Sequence, residues 1–246
     1  MIGLLGKKLG MTHVYDEHGR RKAVTAIQAG PCTILQVREP QRHKYSAVQV
    51  GFEPVAESAL TKPVLGQLKK AGAGPFRYIR EFRLNGNSPG EWKAGQQLTL
   101  ELFKEFELVD VTGVSIGKGF QGGMKRWHWK GGAKTHGSTS HRRPGSIGST
   151  TTPGRVWRGH HLPGHMGDDR VTIQNLRIIR LDLEHHLLLV EGAIPGSEQG
   201  LVFVRKSVKR PGLIRKPQAF QLVIEDDENL SKTAKAASKK PKTAAK

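Results

Sequence analysis

Short runs of apolar or alternating residues recur along most of the chain, and turn residues separate them, as is typical of a β protein. Asp16 to Gly19 supplies turn residues for a hairpin, and Gly30-Pro31 breaks the next connection. The runs predict strands at Leu9 to Tyr15, Ala23 to Ala29, Cys32 to Val37, Ala47 to Phe52, Phe76 to Leu84, Leu98 to Leu102, Leu108 to Ile116, Val171 to Gln174, Leu176 to Leu183, Leu187 to Val190 and Leu201 to Val204.

The pattern changes between Pro54 and Gly95. Lys62 to Ala71 is predicted to form a short helix, and Asn85 to Gly90 is rich in turn residues and predicts a loop. This stretch therefore predicts a small α+β insertion in a mainly β protein.

Residues 117–167 show neither a helical nor a strand period. Their 51 residues include 13 glycines and three prolines, so neither regular structure is favoured over this length. Loops longer than about 12–15 residues are uncommon in compact domains and tend to be functional or disordered. Three of the four tryptophans lie here, whereas disordered tails are usually poor in aromatics. We expect these rings to pack on an external partner on which the segment becomes ordered.

Charge is distributed very unevenly along the chain. The formal net charge is +19, which indicates a polyanionic partner. Residues 117–167 contain nine Lys and Arg and no acid, and residues 205–246 contain twelve against four acids. The remaining body, residues 1–116 and 168–204, carries 19 basic and 17 acidic residues. The chain thus resembles an ordinary globular body with two basic appendages.

Nucleic acid and an anionic membrane are the two candidate polyanions. No run approaches the roughly 18 apolar residues of a membrane span, and the first twenty residues lack the apolar segment of a signal peptide. We expect a cytosolic protein that does not contact a membrane. Its single cysteine, Cys32, excludes an internal disulfide and is expected to be a small buried side chain.

Gly117 to Gly122 formally matches the glycine pattern of dinucleotide-binding proteins. That motif requires a helix that opens at the glycines and an acidic residue about 20 positions later. The next acid is Asp168, and the following segment is interrupted by glycines. The stretch from Gly113 to Lys118 is one residue short of a phosphate-binding loop. We therefore expect no nucleotide cofactor.

Six histidines of the same segment raise the possibility of a metal site or a catalytic base. Structural zinc sites need four ligands at defined spacing, and catalytic sites usually need three. No cysteine or carboxylate is near, and no acid is available to orient a base beside Ser138 or Ser140. Imidazoles among so many cations are better suited to phosphates and bases. Asp168 and Asp169 are interpreted as turn residues or partners of Arg170.

Alternating cations and aromatic rings remain as the chemistry of residues 117–167. Cations neutralise phosphates while rings stack on unpaired bases, at about 1–3 kcal/mol per base. A merely solvated run of charge would not need the tryptophans. The predicted RNA-binding residues are Lys118, Lys125, Arg126, Trp127, His128, Trp129, Lys130, Lys134, His136, His141, Arg142, Arg143, Arg155, Trp157, Arg158, His160 and His161.

The sequence also resembles a known family, ribosomal protein three of the large subunit in its bacterial form. The resemblance covers about residues 1–208 and continues through Gly131 to His136, Arg143 to Gly148, Thr152 to Arg155, Gly164 to Gly167 and Leu187 to Gly196. The positions that match the family signature are Phe103, Asp110, Gly113, Ser115, Gly117, Lys118, Gly119, Gly122 and Arg126.

The resemblance implies a six-stranded β-barrel related to a translation-factor barrel, an inserted subdomain, and a finger that penetrates large-subunit RNA toward the peptidyl transferase centre. It also implies an early role in subunit assembly. Some bacterial members carry a methylated glutamine where this chain has Thr151, so that modification is expected to be absent. The tip of the finger, between Pro144 and Pro153, would comprise Gly145, Ser146, Ile147, Gly148, Ser149, Thr150, Thr151 and Thr152.

We therefore predict a structural ribosomal protein without catalytic residues, metal or cofactor. Its expected partners are large-subunit ribosomal RNA and neighbouring large-subunit proteins, with no small-molecule substrate. An RNA-modifying enzyme with a basic arm and a non-ribosomal RNA chaperone are the alternatives. The predicted organisation is barrel at 1–53, 96–116 and 168–208, an α+β insertion at 54–95, the finger at 117–167, and a basic, largely disordered tail at 209–246.

Overall fold

The computed structural model of the chain describes residues 3–16, 19–84 and 92–214. The mainly β fold predicted from the apolar pattern is confirmed. Its strands are β1 (Gly3–Tyr15), β2 (Arg21–Ala29), β3 (Cys32–Arg38), β4 (Ala47–Pro54), β5 (Phe76–Arg83), β6 (Gln97–Leu98), β7 (Leu108–Val114), β8 (Phe120–Gln121), β9 (Gly164–His165), β10 (Arg170–Asp182), β11 (Leu187–Glu191) and β12 (Leu201–Lys206). Its α-helices are α1 (Pro40–His43), α2 (Lys62–Lys70) and α3 (Gly123–Trp127).

Six strands form a closed antiparallel barrel in the order β1, β12, β7, β10, β11, β2. The ring closes because β2 pairs with β1 over nine residue pairs, from Gly6 with Ala29 to Tyr15 with Arg21. Side chains that alternate along the strands point inward and fill the interior, as expected for a small barrel. Fully buried examples are Leu4, Ile27, Val111, Ile178, Leu188 and Val204.

Strands β3 to β6 form a second sheet in the order β5, β4, β3, β6, and this arrangement corrects the predicted domain boundaries. Residues 32–53 and the strand at 97–98 were assigned to the barrel. In the structure β4 pairs with β3 and β5, and β3 also pairs with β6, in this second sheet. The apolar pattern locates a strand but does not specify its pairing partner, which explains the error. The sheet is covered by α2, whose Leu68 is buried, and that helix ends one residue before its predicted end.

The two sheets share one hydrophobic core. The rings of Phe82 in β5 and Phe203 in β12 meet edge to face, with centroids 6.1 Å apart. Buried residues of both sheets belong to the same cluster, from Leu4 in the barrel to Val50 in the second sheet. The second sheet is therefore packed against the barrel wall near β12.

Two strands were predicted at 171–174 and 176–183, whereas the structure has the single strand β10, in which a buried carboxylate holds a bulge. Asp110 is fully buried, and its Oδ1 accepts a hydrogen bond of 3.0 Å from the backbone N–H of Asn175. Asn175 has a left-handed φ of 59° and lies where the register of β10 against β7 shifts. The other oxygen of Asp110 accepts the N–H of Val208 at 3.1 Å. A bulge held by a side chain of the neighbouring strand β7 thus interrupts the alternation without ending β10.

The predicted strand from Leu98 to Leu102 is wrong beyond Leu98, because Leu100–Leu102 forms a single 3-10 turn. The predicted loop at 85–90 and residues 215–246 of the predicted tail lie outside the described residues. The first residues of that tail contact the barrel, since the N–H of Leu108 donates to the carbonyl of Leu213 at 3.3 Å.

Candidate nucleic-acid interface

The irregular segment at 117–167, called the extension below, leaves the barrel between β7 and β10. Its two ends run side by side and form a root, residues 115–121 and 164–169. At the barrel, the N–H groups of Ser115 and Asp168 donate to the carbonyls of Asp169 and Ser115, at 2.9 and 3.1 Å. Further out, Lys118 donates to Met166 at 2.8 Å, and β8 then pairs with β9. The root is therefore a hydrogen-bonded ribbon continuous with the barrel wall.

Glycine is required at one point of this ribbon. Gly167 has a φ of +77°, and a Cβ atom at this residue would lie 2.1 Å from the carbonyl oxygen of Ile116. A side chain there would be strained by the backbone angle and would also collide with the facing strand. The two strands of the root can approach closely only because residue 167 has no side chain.

Beyond the root, the short helix α3 is tied to the returning chain by side chains. The Nη1 of Arg126 and the Nε1 of Trp127 both donate to the carbonyl of Leu162, each at 2.8 Å. The ring of Trp127 stacks on His161, with centroids 4.1 Å apart and planes 4° from parallel. Arg126 also lies over the Trp127 ring, 4.9 Å from its centroid. These contacts fix the outgoing and returning strands against each other.

A second contact inside the extension holds Trp129. Its ring lies directly on Gly123, where an added Cβ would come within 2.2 Å of the ring carbons. The next turn is closed by the N–H of Gly132, which donates to the carbonyl of His141 at 2.8 Å. The prediction that the tryptophans pack on an external partner is therefore wrong for Trp127 and Trp129. Trp157 differs, because it remains 62% exposed.

Nearly all of the predicted RNA-binding side chains are exposed to solvent. Of the seventeen, only Arg126 and Trp129 are half-buried, and both have the internal contacts described above. Trp157 carries Arg155 over its ring at 5.4 Å, which leaves a cation and an aromatic surface side by side. The extension thus presents fifteen of these residues outward.

The predicted tip is also exposed throughout residues 145–152. It is shaped by local hydrogen bonds, such as the Ser146 hydroxyl donating to the carbonyl of Gly148 at 3.1 Å. An open groove of about 690 Å³ lies between the tip and the inner part of the extension. Trp129, Arg143 and His160 are among the residues that line it. The groove therefore places an aromatic ring and cations on one concave surface.

Within the described residues, the positive charge of the extension is not neutralised by ion pairs. Its nine Lys and Arg face no acid of their own segment. In the part of the chain that the structure describes, no ion pair includes any of them. An exposed surface of uniform charge attracts a polyanion at long range. This arrangement fits the phosphate backbone of a nucleic acid.

The glycine pattern at 117–122 has a structural explanation. These residues form one strand of the root, and the helix that follows at Gly123 has only five residues. The extension histidines do not converge on one point; over residues 3–16, 19–84 and 92–214, no group of three or more His, Cys, Asp or Glu could hold a metal ion. No helix of the described chain is both long and apolar enough to cross a membrane.

Comparison with known proteins identifies the family. The family model for ribosomal protein L3 matches residues 91–185. The large ribosomal subunit protein uL3 of Geobacter sulfurreducens is 47% identical over 207 residues, which cover 84% of this chain and 98% of the relative. The uL3 proteins of Pelobacter propionicus and Brachyspira pilosicoli are 48% and 44% identical over 84% and 85% of this chain, and over 98% and 95% of their own lengths.

The chain belongs to the uL3 family of large ribosomal subunit proteins. The family signature marks the attachment of the extension more than its outer surface. Phe103 is buried in the core, and Asp110 holds the bulge of β10. At Gly113 a Cβ would lie 2.9 Å from the carbonyl of Pro195. Ser115 and Arg126 hold the two ends of the extension together. Lys118 is an exposed cation of the signature.

Some residues that shape the uL3 extension carried no signal in the sequence. The carbonyl of Leu162 accepts hydrogen bonds from two side chains 35 and 36 positions away. Gly123 and Gly164 make room for Trp129 and Arg126, because a Cβ at Gly164 would lie 2.6 Å from Nη1 of Arg126. The sequence shows that both residues are glycines, but it does not show which side chain packs against each of them and so requires a glycine there.

Proposed function

We propose that this uL3 protein is a structural constituent of the large ribosomal subunit and binds large-subunit ribosomal RNA directly through its extension. One observation carries the proposal. An acid-free segment of 51 residues, fixed to the barrel by a hydrogen-bonded ribbon, presents eight exposed cations and the exposed Trp157 to its surroundings. Such a surface matches the charge and stacking chemistry of folded RNA.

The extension acts by screening phosphates and by stacking. Cations on both sides of the segment reduce the repulsion between RNA strands that approach each other, while Trp157 and the imidazoles meet unpaired bases. The glycines allow backbone N–H groups to come close to phosphates. The internal contacts of Trp127 and Trp129 set the direction of the extension before RNA is bound, which reduces the ordering cost of binding.

The tip at 145–152 is proposed to reach toward the peptidyl transferase centre. Its small and hydroxyl side chains fit a narrow space between RNA strands, and it contains no acid or base that would act as a catalyst. We further propose that the protein joins the subunit early in assembly, lies beside other large-subunit proteins, and works in cytoplasmic ribosomes without a cofactor. The family resemblance supports these finer points.

Sedimentation of a tagged chain tests the function. Lysate from cells that express the chain is separated on sucrose gradients at moderate and at high salt. We expect the chain in the large-subunit peak at both salt concentrations, because many buried phosphate contacts resist screening. A chain that stays at the top of both gradients would overturn the proposal and would favour a free RNA chaperone or RNA-modifying enzyme.

A further inference from the structure

A second group of cations lies far from the extension in sequence, at one end of the second sheet. Arg38 ends β3 and Arg83 ends β5, and Tyr45 lies in the connection between α1 and β4. The guanidinium carbons of Arg38 and Arg83 lie 5.7 and 5.4 Å from the centroid of the Tyr45 ring. Arg42 in α1 and Lys44 in the connection are both exposed. These four cations and Tyr45 are called the basic cluster below.

The basic cluster is held in place by one carboxylate. Oε1 of Glu81 lies 2.7 Å from Nη2 of Arg38, and its Oε2 accepts a hydrogen bond of 3.1 Å from the Tyr45 hydroxyl. The ring of Tyr45 is therefore fixed, and Arg83 lies over a fixed surface. A guanidinium that stacks on a ring keeps its in-plane N–H donors free for another partner. The geometry resembles a prepared anion site more than a set of mobile surface charges.

The charge balance of the body singles out this cluster. The body outside both basic appendages carries 19 basic and 17 acidic residues, a net charge of +2. The cluster holds four cations, and its neighbouring acids are Glu39 and Glu81, which again gives +2. The rest of the body is therefore neutral. Across the described ranges, no salt bridge includes Arg42, Lys44 or Arg83.

We propose that the basic cluster is a second RNA contact of this protein, which binds phosphates of the large-subunit RNA independently of the extension. The inference rests on the proposed function, since it assumes that the chain works on that RNA. RNA fits the cluster because planar guanidiniums bind phosphate oxygens in pairs. The exposed cations Arg42, Lys44 and Arg83 also suit a repeating backbone charge. An acidic segment of a neighbouring protein is the competing occupant.

The salt dependence of RNA binding tests the cluster. The variant carries Arg42→Gln, Lys44→Asn and Arg83→Gln; asparagine suits residue 44 because Lys44 has a left-handed φ of 63°. The matched control removes three exposed lysines elsewhere, through Lys62→Gln, Lys93→Gln and Lys104→Gln. Binding of each full chain to transcribed large-subunit RNA is measured from low to moderate salt. We expect the slope of log K against log salt to fall by about 2 in the cluster variant, at 0.7–0.9 per phosphate, and to change little in the control.

The outcomes separate the two proposals. An equal slope in the cluster variant and the control, while the unchanged chain binds the RNA, would overturn the cluster alone. Failure of the unchanged chain to bind the RNA would remove the proposed function and the cluster with it. Melting curves of both variants show whether a smaller slope of log K against log salt is caused by unfolding. A large loss of stability confined to the cluster variant would contradict an RNA contact.

A tethered probe locates the partner. Gln41 is exposed on α1 and is not a member of the basic cluster, so Gln41→Cys places a reactive thiol beside four intact cations. Native Cys32 is buried and should not react with the chelate, so the unchanged chain is the control for labelling. An iron chelate on residue 41 should cleave large-subunit RNA locally when the protein is in the subunit. Cleavage of a neighbouring protein without RNA cleavage would assign the cluster to protein docking and overturn the proposal.

Discussion

At the scale of single residues, close backbone approach decides which positions of the extension tolerate change. Exposed cations such as Lys134 form no hydrogen bond or ion pair with another side chain among the described residues. Their substitution should therefore weaken binding to an external partner without destabilising the fold. Gly123, Gly164 and Gly167 contact a ring, a guanidinium and a facing carbonyl. The sequence predicted the first class, because exposure follows from polarity. It did not predict the second, because each glycine's partner lies elsewhere in the chain.

Gly167→Ala is expected to destabilise the root much more than Gly119→Ala. Both residues have a positive φ, so each substitution carries about 1–2 kcal/mol of backbone strain. Only at Gly167 does the new Cβ also meet a carbonyl oxygen, at 2.1 Å, whereas at Gly119 nothing lies within 4 Å. Thermal melts and the fraction of each variant in large subunits check the difference. Equal losses in the two variants would contradict the close approach.

Cys32 is expected to be chemically silent in the folded protein. Burial raises the pKa of its thiol from 9.0 to about 12. The thiol also donates a hydrogen bond to the carbonyl of Leu5, with Sγ 3.4 Å from the oxygen. The native thiol should not react with a disulfide reagent at pH 8, and it should react fully in denaturant. Rapid reaction of the native chain would contradict its burial.

The same pKa shift predicts a stability loss at high pH. The unfolded thiol ionises above about pH 9, whereas the folded thiol stays protonated until about 12. Stability is therefore full below pH 9 and falls as the pH rises through this window, by up to about 1.4 kcal/mol per pH unit. Denaturant titrations of the parent and of Cys32→Ala should diverge from pH 9 upward. Parallel pH curves would show that the thiol does not contribute.

At the scale of elements, local pattern predicted which segments form strands but not how they pair. The helix at 62–70 and most strands lie where periodicity placed them. The assignment of β3 and β4 to the barrel was wrong, because pairing depends on contacts that are distant in sequence. The single β10 was predicted as two strands, because its bulge is held by Asp110, 65 residues away. The extension was located by composition, but its internal contacts were not visible.

Deletion of residues 125–160, replaced by a short Gly-Ser linker, is expected to leave the barrel folded. None of these residues belongs to the hydrophobic core, and the root on both sides of the deletion keeps its hydrogen bonds. The variant should melt cooperatively, close to the parent temperature, yet fail to enter stable large subunits. Loss of the cooperative melt would show that the extension is part of the folding unit.

At the scale of the whole molecule, the body and the extension differ sharply in net charge. The body is nearly neutral and folds around a shared core, so it needs no polyanion for stability. The extension carries +9 and contributes nothing to that core. A protein divided in this way can be made and folded before it meets RNA. Its affinity should then depend on salt mainly through the nine cations of the extension, with a smaller contribution from the basic cluster of the body.

Substitution of Arg142 and Arg143 by alanine tests this dependence with the smallest change. Both side chains are exposed beside the tip and face no acid of their segment. Each phosphate contact contributes about 0.7–0.9 to the slope of log K against log salt. Removing two contacts should lower the slope by up to about 2, whereas Lys93→Ala with Lys104→Ala should leave it nearly unchanged. Because both pairs remove the same charge, a slope that falls equally in both would mean that net charge alone, and not contact by the extension, governs binding.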